Sequence, residues 1–140
     1  MCLAVYLAAD EEPPLVPWDE THPGFHVVAL AGEPDESARR QFSKRYVVYL
    51  GSHEGCGCGF DYGQDPEAVE PEEDEASRRS VSALVDYLKP LLARLGTLEL
   101  FSCWEGDQGV EPLSRRCITL SAIGGDSFCF QQKELLHLGR

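Results

Sequence analysis

Apolar residues fall along the chain in six short bursts and one long periodic stretch. Leu3, Val5 and Leu7 alternate with Ala4, Tyr6 and Ala8, the two-residue rhythm of a first strand. A second burst spans 26–31. The third, 46–50 (Tyr-Val-Val-Tyr-Leu), is apolar on both faces, as a central strand requires. Later bursts at 97–103, 116–122 and 127–131 predict three more strands, the last two joined as a hairpin by Gly124, Gly125 and Asp126.

The long stretch has a different period. Val81, Leu84, Val85, Leu88, Leu91, Leu92 and Leu95 share one helical face, which predicts a long helix at about 74–95. Acids precede its first turn, Arg94 closes its last, and Gly96 suits the position just beyond. Pro90 inside the pattern predicts a kink or a break. Asp35 can cap a short helix at about 35–43, and residues 133–137 read as a closing helical turn. Four prolines between Asp10 and Gly24 predict an ordered loop that buries Leu15, Val16 and Trp18. The pattern therefore predicts an α+β fold: a mixed sheet of about five to six strands with one long helix and one short one. Spacing permits a βαβ unit over 46–103, whose crossover would bring the loops at 51–60 and 104–109 to one carboxyl edge of the sheet.

Composition changes this picture little. The 140 residues suit one domain, 1–140, with the apolar and charged fractions of a globular protein. No apolar run approaches the ~18 residues of a membrane span. The opening residues lack the basic start of a signal peptide, so a cytoplasmic location is expected. Net charge is −12, and the run 65–75 holds seven acids and no base. With so few clustered bases, neither nucleic acid nor an anionic membrane is an expected partner. The acidic run itself can dock a basic protein partner.

Candidate chemistry concentrates at Gly51-Ser52-His53-Glu54-Gly55-Cys56-Gly57-Cys58-Gly59-Phe60. Imidazole and thiolates suit zinc or another soft ion such as Cu(I), and glycines let close ligands fold around one centre. His53, Cys56 and Cys58 are the first ligands, with Cys103 as the main candidate for the fourth and Cys2, a carboxylate or water as others. The same sulfurs also suit a second reading, a dithiol or thiol enzyme in which His53 lowers a thiol pKa or acts as base. A third is a buried glycine turn with two packed thiols. Cys2, Cys103, Cys117 and Cys129 lie in strand-like or apolar settings, where free cysteine packs as a small hydrophobe. Glu105 and Asp107 are a candidate acid/base pair that also reads as ordinary turn chemistry.

Overall fold

The computed structural model describes residues 2–61, 71–125 and 128–139. Six strands form one mixed sheet: β1 (Leu3–Ala9), β2 (His26–Ala29), β3 (Tyr46–Gly51), β4 (Thr97–Trp104), β5 (Ser114–Thr119) and β6 (Glu134–Gly139). Their order across the sheet is β2-β3-β1-β4-β6-β5. All pairs are antiparallel except β5 with β6. The expected α+β class with a long and a short helix is what the chain adopts.

β1 is the centre, buried along its whole length. Its two faces explain the two layers. Leu3, Val5, Leu7 and Ala9 join Leu50, Leu98, Leu100, Leu136 and Leu138 beneath helix α1 (Pro71–Leu95). Ala4, Tyr6 and Ala8 join Val47, Phe101, Cys103 and Leu135 on the other face. A 3₁₀ helix over Asp35–Gln41, followed by Phe42, covers part of that second face through Ala38.

Helix α1 presents Val81, Leu84, Leu88, Leu91 and Leu92 to the sheet, the face its periodicity predicts. It begins three residues earlier than expected, with Pro71 in the first turn, where the missing N–H costs nothing. It also runs unbroken through Pro90. Pro90 is on the solvent side, so the Asp86 carbonyl that loses its helical partner can be hydrated. Gly96 ends the helix, its N–H bonded to the Leu92 carbonyl at 2.8 Å. No described helix is long and apolar enough to cross a membrane.

Three expectations are corrected. Residues 128–133 form no strand beside β5, so the expected hairpin is absent among the described residues; a short helix α2 (Leu120–Ile123) follows β5 instead. Residues 134–139 form β6 rather than a helical turn. Leu136 and Leu138 fill the α1 side and Leu135 the other, and that two-sided burial outweighs the local helical preference of Glu-Leu-Leu-His. In the proline-rich loop, Val16 bridges to Val27, but Leu15 and Trp18 are exposed. Most of the acidic run, 65–70, lies outside the described residues; Glu72, Glu73 and Asp74 form the first turn of α1.

Candidate metal centre

β3 and β4 both run antiparallel to β1, so they are parallel to each other with β1 between them. The helix α1 crosses from one to the other, making a βαβ unit split by β1. Consequently the carboxyl ends of β3 and β4 share a sheet edge with the start of β1. Leu3 lies opposite Trp104, and the loop after Gly51 returns towards the same place.

Ser52 organises that loop. Its hydroxyl donates to the Cys56 carbonyl at 2.6 Å and accepts the Gly59 and Glu54 amides at 3.1 and 3.3 Å. The Cys56 carbonyl also accepts the Ser52 amide at 2.8 Å. A short 3₁₀ turn over Gly57–Phe60 follows, anchored by the buried Phe60 ring against Phe25 and Phe130. Gly57 is pressed on β1: a β-carbon there would stand 2.6 Å from Val5 Cγ2 and 3.0 Å from the Leu3 carbonyl oxygen. Only a residue without a side chain allows this approach.

The result is a group of three sulfurs. Cys2, Cys56 and Cys58 place their Sγ atoms within 4.8 Å of one another. The Leu3 amide donates to Cys58 Sγ at 3.2 Å, and the Cys58 amide donates to the Cys56 sulfur. Residue 2 is pinned from the other side, its carbonyl accepting the Glu105 amide at 2.9 Å. Burial pushes the Cys56 thiol up to about 12, and the neighbouring Cys58 and Cys2 thiols add to the shift while the Cys58 amide opposes it. Cys56 is buried, Cys58 half-buried and Cys2 exposed, so the cluster opens to solvent on one side. Beside it is a pocket of about 370 Å³ lined by Cys58, Phe60, Asp61, Trp104 and Cys129.

Of the ligands expected from the sequence, Cys56 and Cys58 converge. His53 does not join them. Its Nδ1 lies 2.9 Å from Ser80 Oγ on α1, and its amide donates to the same oxygen. Cys103 points to the opposite face, buried with Tyr6 and Phe101, because it alternates with Ser102 along β4. Cys2, whose strand-like setting suggested packing and which stood only among the alternatives for a fourth ligand, is the exposed third sulfur. Its signal in the sequence was that of a soft ligand type one residue before the first strand, with nothing to place it near the loop at 51–60. Glu105 and Asp107 are not paired: Glu105 accepts from Gln108 at 3.1 Å, while Asp107 lies 3.8 Å from Lys133.

Three thiols, two on the gripped turn and one just before β1, can deprotonate together around a soft cation, or two of them can oxidise. No protein-family model matches the chain, and no curated protein or solved structure is significantly similar to it, so this geometry stands on its own residues.

Proposed function

We propose that the protein binds one thiophilic metal ion, zinc or Cu(I), through the thiolates of Cys2, Cys56 and Cys58. The observation that carries this reading is the convergence of three sulfurs from two distant segments within 4.8 Å. Three thiolates each ~2.3 Å from one ion stand ~4 Å apart, so a small contraction completes the site. The amides of Leu3 and Cys58, aimed at sulfur, favour the charged thiolates that ligation needs. The exposed side at Cys2 leaves a coordination position for water or an incoming ligand, as in exchangeable or catalytic sites rather than closed structural ones. All six cysteines are free, which suits a reducing, cytoplasmic setting.

The test is titration of reduced protein with Co²⁺ as a zinc probe, and separately with Cu(I). One equivalent should bind with thiolate-to-metal absorption, releasing protons as it does so. Cys2→Ser, Cys56→Ser and Cys58→Ser should each weaken binding, whereas Cys103→Ala should not. Undiminished binding in Cys2→Ser would overturn the three-sulfur site. Failure to bind either ion, with rapid formation of a Cys56–Cys58 disulfide, would support the dithiol reading instead.

A further inference from the structure

The opposite end of the sheet holds a second constellation, separate from the sulfur cluster. Glu99 on β4 pairs in register with His137 on β6, and His137 pairs with Cys117 on β5. Their sequence neighbours Leu98, Leu100, Leu136, Leu138 and Ile118 all pack on the α1 side. By strand alternation, Glu99, His137 and Cys117 share the other face as a row across three adjacent strands.

The row is graded in burial. Glu99 is buried, and its Oε1 accepts three hydrogen bonds, from the Ser43 amide, the Ser43 hydroxyl and the Lys44 amide, at 2.9–3.0 Å. Its other oxygen, Oε2, lies 3.7 Å from His137 Nδ1. His137 and Cys117 are both exposed. All three line a pocket of about 720 Å³ that also takes in Lys44, Thr119 and Ala122. Cys117 therefore departs from the packing role its strand setting suggests.

We propose that this pocket is a thiol esterase site in which Cys117 is the nucleophile, His137 its general base and Glu99 the positioning residue. The fixed carboxylate stabilises the imidazolium electrostatically from 3.7 Å on the Nδ1 side, which leaves Nε2 free for the neighbouring strand's thiol. Cys117 and His137 are register partners on adjacent strands, which lie ~4.8 Å apart, so their side chains stand side by side on this face. The substrate class is a small carboxylic ester, matched to a pocket with both apolar and hydroxyl-bearing walls. His137 takes the Cys117 proton as sulfur bonds to the ester carbonyl carbon. The tetrahedral adduct then collapses, the C–O bond to the alcohol breaks, and the imidazolium protonates the departing alkoxide. Water, losing a proton to His137, attacks the resulting thioester. The carboxylic acid leaves, and Cys117 recovers its proton.

Among the described residues, two further charged groups lie close by. Lys44 borders the pocket with its ammonium 2.8 Å from Asp10, and Arg115 precedes Cys117 by two residues on β5. The test reads two quantities on the full chain. The first is hydrolysis of p-nitrophenyl acetate. Cys117→Ser and His137→Ala should each lower kcat/KM by about 100-fold or more. The second is the rate of Cys117 alkylation by iodoacetamide against pH, followed on its own peptide by mass spectrometry. The wild type should alkylate faster than His137→Ala at each pH, with Glu99→Gln between the two. His137 is exposed, so His137→Ala should fold like the wild type, which far-UV circular dichroism checks. Identical alkylation profiles in wild type and His137→Ala, with equal ester hydrolysis, would overturn the proposal.

Discussion

Gly57→Ala tests whether the cysteine turn is held by its contact with β1. The added methyl would meet Val5 Cγ2 at 2.6 Å and the Leu3 carbonyl oxygen at 3.0 Å. Carbon atoms pack ordinarily at ~3.5–4.0 Å, so something must retreat by about 1 Å. β1 cannot, because it is hydrogen-bonded on both edges and Val5 is fully buried. The turn must therefore lift, carrying Cys56 and Cys58 away from Cys2. Overpacking of this kind costs about 1–3 kcal/mol. Metal–ligand distances tolerate only ~0.2 Å, so zinc affinity should fall about tenfold or more. Urea denaturation of the metal-free protein measures the first effect, and competition with a chromophoric chelator the second. Gly55→Ala is the control. Its φ of +87° makes a side chain costly by ~1–2 kcal/mol, but no atom lies within 4 Å of the new carbon. That variant should lose stability with little loss of zinc. A Gly57→Ala protein matching wild type in urea midpoint and zinc affinity would refute the clamp.

Leu88→Ala, at a fully buried position of α1 under the sheet, should cost about 2–5 kcal/mol in the same urea experiment; a surface-like value would mean the helix is out of phase. Ser52→Ala removes the hydroxyl that ties the Cys56 carbonyl to the Gly59 amide and should destabilise by roughly 1–3 kcal/mol, with faster alkylation of Cys56 as the turn loosens. Burial pushes Cys103, like Cys56, up to about 12, whereas thiols of the unfolded chain ionise near 9. Above that lower value the unfolded chain has lost protons that the folded protein keeps, so metal-free stability should fall as pH rises through the interval. Urea midpoints taken from about pH 8 to about 10.5 check the slope, which Cys103→Ala should flatten. Zinc affinity should move oppositely, weakening as pH falls, because ligation must displace the Cys56 proton.

The sequence by itself determined the α+β class, the α1 face and the apolar bursts that became β1 to β5, because those follow from local patterning. It also marked Cys56 and Cys58, since glycine-flanked cysteines after a central strand are conspicuous. Tertiary structure decided the rest. Whether 134–139 was helix or strand depended on a vacancy between β4 and β5 that no local window contains. Parallel β5–β6 pairing, in place of a hairpin, depended on the α2 turn sending the chain back round. His53 was drawn off by Ser80, a residue 27 positions away, and Cys103 was turned aside by the alternation of β4. Cys2 joined the sulfurs only because insertion of β1 between β3 and β4 brings the start of one strand to the ends of two others. The Glu99–His137–Cys117 row likewise exists only through strand register, which couples three residues that share no sequence neighbourhood. Local periodicity shows which face a side chain takes; which strands stand side by side is settled by packing around β1.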